Sequence, residues 1–438
     1  MCESRALVSS NFVVSRGTES PHSSGMPTSA LLLLLSSVQT QPALNATNTN
    51  ILLPNHQDGN HGHSMALVFT DQEVKNCVRL RTPSLAVNTH TNAVHIVARC
   101  CGKNLCSSRS PGQTLYNDTH KRQLDNNQDA VVVMKTSHDQ GKTWAKYQVL
   151  SPKGQTSYAG AAVMYDKQRK RLVLQYNYFP RGSTKPAWNV SLWQRYSDDD
   201  GNTWSEPREL TQYIKVCEKD LHNTQVQSAG SKVQTTKGRL VWTGHDHKRS
   251  LVCVWYSDDG GETYKAVLTE AHSEVSVAVA DIHSTELYMN GRGGKNFSPH
   301  RAEYRSYDDG ATWGEGTKSE LMEDGHSSGC ERSVINVGNK LFSMEPAKSG
   351  RMSMVMQCST DKGKTWKKKV SVNGNNRGGY SDMADLGDGH ILAAWEDGSH
   401  PLDDEEELRD LHEEDELKRG PDKDSGNFYA QKVGTNFC

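Results

Sequence analysis

An eight-residue motif occurs five times in this chain, and no other feature of the sequence restricts the possible fold as much. Each copy has the pattern Ser-x-Asp-x-Gly-x-Thr-aromatic, and the copies, called boxes 1 to 5 below, occupy residues 137–144, 197–204, 257–264, 306–313 and 359–366. Their starts are separated by 60, 60, 49 and 53 residues. This spacing suits one propeller blade, whose four short strands and turns need about 40 to 50 positions. Five boxes therefore predict at least five blades.

The residue types within a box are those of a tight turn. Aspartate can accept hydrogen bonds from backbone amides of its own loop, glycine tolerates positive φ, and the aromatic ring can pack the turn onto the blade. A β-rich run precedes each box, such as residues 130–134 before box 1 and 352–356 before box 5, which places the motif between two outer strands. Catalytic aspartates in every box would require five equivalent sites. We therefore interpret the boxes as structural.

The segments that flank the repeat predict a sixth blade, and hence an all-β, six-bladed β-propeller. Strand-like residues 65–69 and 93–97 can pair with 391–395 and 428–433, which would close the ring and remove exposed sheet edges. We expect residues 1–60 to form a tail and residues 61–438 to form the propeller. Within the propeller, residues 402–422 are predicted to be an acidic, solvated insertion.

Composition excludes two broad classes of protein. The formal net charge is -2 and the mean hydropathy is -0.73, which argues against a nucleic-acid-binding protein with a broad basic face. The longest apolar run, residues 30–35, is too short to span a bilayer. The cysteines lack the spacing of a zinc site, so we predict no metal site.

The same apolar run has a second interpretation, as the hydrophobic part of a secretory signal sequence. Four glycosylation sequons, at Asn45, Asn117, Asn189 and Asn296, and ten cysteines are compatible with export. The alternative is a disordered serine-rich tail with a chance leucine cluster. The prediction is a secreted protein or one of the lysosomal or endomembrane lumen.

The boxes and their surroundings resemble the sialidase (neuraminidase) superfamily over roughly residues 64–438. Boxes also occur in non-enzymatic propellers, so an enzymatic function depends on other residues. The resemblance implies three arginines that bind the substrate carboxylate: Arg81 in RTPSL, Arg292 in YMNGRGG and Arg351 in SGRMSMVMQC. Thr82 stands where the family has isoleucine, which leaves the arginine intact. Guanidinium groups suit this task because they bind carboxylate bidentately and stay charged at any working pH.

The resemblance also implies the catalytic pair. Tyr380 in GGYSDMAD occupies the nucleophile position, Glu274 in HSEVSVAVAD the position of its base, and Glu396 in AAWEDG that of a glutamate which orients Arg81. A neutral phenol suits this substrate, because an anionic nucleophile would be repelled by the sugar's own carboxylate, and sialidases are the known tyrosine exception among glycosidases. The base lowers the cost of ionising a group whose ordinary pKa is about 10.

The aspartate that serves as acid and base departs from the family pattern. In the family it follows a strand-ending arginine, here Arg99, by five or six residues, and this chain has no aspartate there. Counting backwards from box 1, Asp125 and Asp129 fall near the acid/base and the N-acetyl-pocket positions, which makes residues 100–124 an insertion. Asp118 is the alternative for the acid.

These residues predict a retaining exo-α-sialidase that needs no cofactor and acts on sialylated glycoproteins, glycolipids or oligosaccharides, as in ganglioside and glycoprotein catabolism. Two other functions stay open. A propeller lectin that binds sialylated glycans without turnover is favoured by the missing aspartate and disfavoured by the presence of Tyr380 with Glu274. A trans-sialidase would pass the sugar to another acceptor rather than to water.

Overall fold

Short strands rich in β-branched and aromatic residues, such as RLVLQYNYF and LVCVWYS, build nearly all of the regular structure. The computed structural model describes residues 65–70, 73–74, 79–101, 131–151, 156–179, 191–218, 225–226, 230–246, 251–269, 274–292, 300–322, 330–348, 351–397 and 427–438. Within these ranges the strands form six antiparallel sheets, each of which is one blade. The predicted six-bladed propeller is confirmed.

The first strand of the described residues, β1 (Ala66–Phe69), belongs to the last blade. Blade 1 contains β2 (Arg79–Val87), β3 (Val94–Cys101), β4 (Val131–Ser137) and β5 (Gln148–Val149). Blade 2 contains β6 (Thr156–Asp166), β7 (Arg171–Phe179), β8 (Ser191–Ser197) and β9 (Arg208–Glu209). Blade 3 follows a 3-10 turn (Thr211–Ile214) and a short helix α1 (Lys215–Glu218), and contains β10 (Gln225–Val226), β11 (Lys232–Gln234), β12 (Leu240–Asp246), β13 (Leu251–Ser257) and β14 (Lys265–Thr269).

Blades 4 to 6 repeat the four-stranded pattern. Blade 4 contains β15 (Val275–Val279), β16 (Leu287–Gly291), β17 (His300–Ser306) and β18 (Thr317–Met322). Blade 5 contains β19 (Ser333–Val337), β20 (Lys340–Lys348), β21 (Met352–Ser359) and β22 (Lys368–Ser371). Blade 6 contains β23 (Ser381–Asp385), β24 (His390–Glu396) and β25 (Phe428–Gly434), together with β1. The innermost strands β2, β6, β11, β15, β19 and β23 each contact the next around the ring, and β23 returns to β2. The first strands of the blades thus surround one axis.

Blade 6 joins strands from two distant parts of the sequence. Strand β1 pairs with β25, with Ala66 opposite Ala430, and β25 pairs with β24. The predicted closure of the ring by residues 65–69 is therefore confirmed. The pairing predicted for residues 93–97 is wrong, because residues 94–97 lie in β3, which pairs with β2 and β4 of blade 1. A tight turn at Asn88, whose side chain accepts the His90 N–H at 2.9 Å, favours this local hairpin.

Each box is the turn between the third and fourth strands of blades 1 to 5. In box 1, Asp139 accepts the Thr143 backbone N–H at 2.8 Å and the Thr143 hydroxyl at 2.6 Å, and Ser137 Oγ accepts the Gly141 N–H at 2.8 Å. The same pattern recurs in the other four boxes. Blade 6 has no such turn because β25 and β1, its third and fourth strands, are not consecutive. This explains why six blades carry five boxes.

The fourth residue of every box has a positive φ and lies against the preceding blade. Asp200 accepts from Asn88 at 3.0 Å, Asp309 accepts from Thr235 at 3.0 Å, and Lys362 donates to Glu286 at 3.0 Å. In box 1, Gln140 accepts from Lys432 of blade 6 at 2.6 Å. In box 3, the guanidinium of Arg169 lies where a Cβ on Gly260 would stand. The boxes therefore join neighbouring blades as well as the strands within a blade.

Two disulfides in the described residues bind peripheral segments to the blades. Cys217 of α1 is joined to Cys253 of β13, and Cys358 of β21 is joined to Cys438. Among the described residues, no helix is both long and apolar enough to cross a membrane. The tail predicted for residues 1–60 and the insertion predicted for 402–422 lie outside the described residues.

Candidate active site

Tyr380 and Glu274, to which the resemblance assigns the nucleophile and its base, are in direct contact. The Tyr380 hydroxyl donates to Glu274 Oε1 at 2.5 Å. Each residue directly precedes the innermost strand of its blade, β23 for Tyr380 and β15 for Glu274. Burial, followed by the negative charge of Glu274, raises the pKa of Tyr380 well above its usual value, although Arg292 and Arg351 act in the opposite direction. The resting tyrosine is neutral, and the acceptor for its proton is already in place.

The second oxygen of Glu274 holds Arg292. Arg292 Nη1 donates to Glu274 Oε2 at 2.5 Å, and its backbone N–H donates to the Glu274 carbonyl at 3.2 Å. The register of β15 and β16 places Val275 opposite Gly291, so the residues just beyond this pair, Glu274 and Arg292, face each other. Burial lowers the pKa of Arg292, but the adjacent negative charge of Glu274 outweighs burial and raises it. Arg292 therefore stays charged across the working pH range.

Arg81 is in contact with Glu396, the glutamate to which the resemblance assigns the orientation of this arginine. Arg81 Nε donates to Glu396 Oε2 at 3.0 Å, and the Thr82 backbone N–H donates to the same oxygen at 3.1 Å. A β-bulge lies between Arg81 and Ser84 of β2. Within it, Thr82 has a φ of 60°, which is a strained conformation for a β-branched residue. The buried glutamate therefore stabilises both the arginine and the bulge that directs it.

Arg81 and Arg351 both approach the ring of the tyrosine. Their Cζ atoms lie 5.2 Å and 5.3 Å from the ring centroid of Tyr380, within the range of cation–π attraction. Arg351 directly precedes β21, has a φ of 55°, and accepts the Gly378 N–H at 2.8 Å through its carbonyl. Three arginines from blades 1, 4 and 5 thus surround one tyrosine from blade 6.

Gly379 allows Glu396 to lie beside the nucleophile. A Cβ at this position would stand 3.0 Å from Glu396 Oε1 and 3.2 Å from its Cγ, closer than ordinary packing permits. The Gly379 N–H donates to the Glu396 carbonyl at 2.8 Å, and the Glu396 N–H donates to the Tyr380 carbonyl at 3.0 Å. The glycines of GGYSD are therefore part of the packing around the candidate site.

The structure brings together six of the eight side chains that the sequence singles out, namely Arg81, Glu274, Arg292, Arg351, Tyr380 and Glu396. Asp125 and Asp129 lie outside the described residues, as does the alternative acid Asp118. Their assignments stay predictions.

Sequence reasoning missed Glu331. This buried glutamate precedes β19, and its negative charge is among those that raise the pKa of Tyr380. The carbonyl of the preceding Cys330 accepts a 3.0 Å hydrogen bond from Arg301 of blade 4. A signal was present: Glu331 lies two residues before the first strand of blade 5, close to the place that Glu274 has directly before the first strand of blade 4.

Comparisons with known proteins identify the family to which the chain belongs. The family model of the BNR repeat-like domain matches residues 113–393. A sialidase of Bacteroides fragilis is 24% identical over 305 residues, which cover 62% of this chain and 54% of that protein. The chain therefore spans about half the length of this curated relative.

Two solved structures share the fold. A Hadza microbial sialidase has a TM-score of 0.57 and 20% sequence identity, with 74% of this chain and 64% of that chain covered. The leech intramolecular trans-sialidase, in complex with 2,7-anhydro-Neu5Ac, has a TM-score of 0.57 and 16% identity, with 76% of this chain and 67% of that chain covered. Because the family model matches more than half of the chain, and these relatives carry the same propeller, the chain belongs to the BNR repeat-like domain family, within the sialidase superfamily.

Proposed function

We propose that this protein is an exo-α-sialidase that hydrolyses terminal sialic acids of glycoconjugates with retention of configuration. The observation that carries the proposal is the 2.5 Å contact between Tyr380 and Glu274, enclosed by three arginines. A protein that only binds a sugar has no need for a base in contact with a half-buried phenol. The sialidase relatives support the substrate class.

The arginines supply the binding step. Arg81, Arg292 and Arg351 come from three blades, and each can donate hydrogen bonds to the carboxylate on the anomeric carbon. Two of them are held by carboxylates of the protein, Arg81 by Glu396 and Arg292 by Glu274. Held guanidinium groups bind with little further loss of side-chain entropy. The substrate is therefore oriented with its anomeric carbon above the tyrosine oxygen.

The chemical step uses the tyrosine as nucleophile. As Tyr380 Oη forms a bond to the anomeric carbon, its proton passes to Glu274, and the bond from the carbon to the aglycone oxygen breaks. Asp125 protonates that oxygen. Water, deprotonated by the same aspartate, then attacks the anomeric carbon, the bond to Tyr380 breaks, and the phenolate recovers its proton from Glu274. Two inversions at one carbon give net retention.

The experiment that tests this proposal uses the full chain with a fluorogenic aryl α-sialoside. We expect fluorophore release together with free sialic acid that appears first as the α anomer in a proton NMR time course. Release with the β anomer first would contradict the tyrosine mechanism, and binding without release would favour the lectin. Because one structural relative is named an intramolecular trans-sialidase, the same spectra also report any 2,7-anhydro product.

We also propose that the protein resides in an oxidising compartment, either outside the cell or in the lysosomal or endomembrane lumen. The disulfides Cys217–Cys253 and Cys358–Cys438 support this, since disulfides are rare in the reducing cytosol. Intact-mass measurement of protein from a eukaryotic secretion host tests it. We expect a glycosylated product that begins after residues 30–35, and an unmodified product that begins at Met1 would contradict the proposal.

A further inference from the structure

A buried aspartate two residues after Tyr380 connects three blades. Asp382 of β23 is 1% exposed. Its Oδ2 accepts the backbone N–H of Leu85 in blade 1 at 2.8 Å, and its Oδ1 accepts that of Gly230, beside blade 3, at 3.1 Å. It also forms an ion pair with Lys232 of β11, which is itself almost completely buried. No step of the chemistry above uses this carboxylate.

Asp382 and one of its partners, Leu85, lie on strands that also carry or adjoin residues of the candidate site. Leu85 is in β2, four residues after Arg81, and Asp382 is in the strand that begins directly after Tyr380. One carboxylate therefore fixes the strand of the nucleophile to the strand of the first arginine. Lys232 comes from blade 3, which is opposite blade 6 in a ring of six, so the ion pair connects the two sides of the ring across its axis.

A buried ion pair contributes little to the net free energy of folding. The cost of removing two charges from water often equals or exceeds their attraction, and an apolar pair of the same volume frequently stabilises a fold as well. What the pair does provide is a defined geometry, because the carboxylate is held from three directions. Geometry matters at this point of the molecule, where a displacement of the nucleophile of about 1 Å costs roughly 10²-fold in rate.

We propose that Asp382, neutralised by Lys232, is a positioning residue that sets the location of Tyr380 relative to Arg81. This inference rests on the proposed function. Asp382 does not touch the substrate and acts only through β23 and β2. Its loss should slow the chemistry in correctly folded molecules, whereas a purely stabilising residue would only lower the fraction of molecules that are folded.

The chain offers a matched control in Asp166. This aspartate is also fully buried, accepts the backbone N–H of Gln168 at 2.9 Å and the side chain of Gln234 at 2.8 Å, and forms an ion pair with Arg169 at 3.5 Å. It lies at the far end of β6, between blades 2 and 3. Asp166→Asn therefore measures the effect of removing a buried, paired carboxylate without any connection to Tyr380.

The experiment compares wild type, Asp382→Asn and Asp166→Asn with a 3-fluorosialyl fluoride, which labels the nucleophile covalently. The final amount of label, read by intact mass, counts active sites, and kcat is then expressed per active site. We expect Asp382→Asn to lower kcat per site and the labelling rate by about ten- to a hundred-fold. We expect Asp166→Asn to leave both unchanged while it lowers the melting temperature.

Affinity for the glycal inhibitor 2-deoxy-2,3-didehydro sialic acid completes the test. Its dissociation constant should change less than about three-fold in Asp382→Asn, since Arg81 keeps Glu396 and Arg292 keeps Glu274. If kcat per site is the same in both variants, the positioning role is wrong. If wild type neither hydrolyses nor becomes labelled, the proposed function fails and the inference fails with it. Should Asp382→Asn not fold, Lys232→Gln, which keeps the backbone hydrogen bonds of Asp382, is expected to show the same loss of kcat per site.

Discussion

The hydroxyl of Tyr380 lies 2.5 Å from Glu274, a residue 106 positions earlier in the chain and two blades away in the ring. The contact is possible because both residues stand immediately before the innermost strand of a blade, where the strands converge on the axis. The other oxygen of Glu274 is occupied by Arg292. The proton of the tyrosine is therefore already in contact with an acceptor, Glu274 Oε1.

Removal of the phenolic oxygen should abolish turnover without damage to the fold. In Tyr380→Phe the ring keeps its contacts with Arg81 and Arg351, but neither the nucleophile nor the donor to Glu274 remains. We expect kcat on an aryl α-sialoside to fall by at least about 10²-fold, with a melting temperature close to that of wild type in differential scanning fluorimetry. Near-normal turnover would exclude Tyr380 as the nucleophile.

Arg351→Lys should weaken binding through geometry rather than charge. Lysine keeps the positive charge but loses the planar fork that binds a carboxylate through two hydrogen bonds. We expect the glycal inhibitor to bind about ten-fold more weakly by calorimetry, and kcat/KM to fall with it. Arg377→Lys is the control, because Arg377 is an exposed arginine opposite Met352 at the same hairpin. Equal affinities in the two variants would place Arg351 outside the binding site.

The proton donor can be identified from the dependence of the rate on the leaving group. A general acid contributes about 10² to 10⁴ in rate, and its loss is felt most when the leaving group is poor. Asp125→Asn should nearly abolish cleavage of a sialyl-galactoside while it spares much of the activity on an aryl sialoside with an acidic phenol. Asp118→Asn should affect neither substrate. The reverse pattern would make Asp118 the acid.

The boxes should make the fold sensitive to acid. Burial would raise the pKa of Asp361, but hydrogen bonds from Thr365 and Ser359 outweigh it and lower the pKa to about 2, from an ordinary value of 3.8. As the pH falls, the unfolded chain therefore takes up this proton first, so the stabilisation is present above about pH 4 and is lost as the pH falls towards 2. Urea unfolding at pH 6 and pH 3 should show a smaller loss of stability in Asp361→Asn than in wild type. Identical pH dependence in the two proteins would refute this role of the box.

Box 3 differs from the others in having tyrosine at its last position, and its hydroxyl has specific partners. Tyr264 is buried, donates to Gln194 and accepts from Gln175 at 2.9 Å. Tyr264→Phe removes two hydrogen bonds from these buried amides of blade 2, which keep the 2.9 Å bond between Gln175 and Gln194, and the loss should cost about 1 to 3 kcal/mol. We expect that loss in urea unfolding, with kcat per active site unchanged. No measurable destabilisation would show that water or rearranged amides replace the hydroxyl.

The sequence predicts the periodic part of this fold well because the boxes report a local event. A Ser-x-Asp-x-Gly turn forms from its own eight residues, so its pattern survives in the sequence wherever the turn occurs. Pairing between distant strands produces no local sequence pattern. The sequence therefore predicts the wrong partner strands for residues 93–97. For the same reason the sequence does not indicate the role of Asp382, because its partners Leu85 and Lys232 are 297 and 150 residues away along the chain.

For the candidate site, the sequence singled out residues that have a fixed place relative to a box, including Arg351 before box 5 and Glu274 at the head of a blade. It did not show that the two carboxylate oxygens of Glu274 bind different residues, one Tyr380 and the other Arg292. That arrangement depends on the convergence of blades 4 and 6, which is a property of the closed ring.

Closure of blade 6 by β1 has a consequence for how the chain could be reconnected. Residue Ala66 lies directly opposite Ala430, so the beginning and the end of the propeller are neighbours in one sheet. A circular permutant that joins them by a short flexible linker, and begins instead at β6, would keep every blade intact and turn blade 6 into an ordinary blade built from adjacent strands. The geometry of the closed ring therefore does not require the chain to begin in blade 6, and the termini could lie between two other blades.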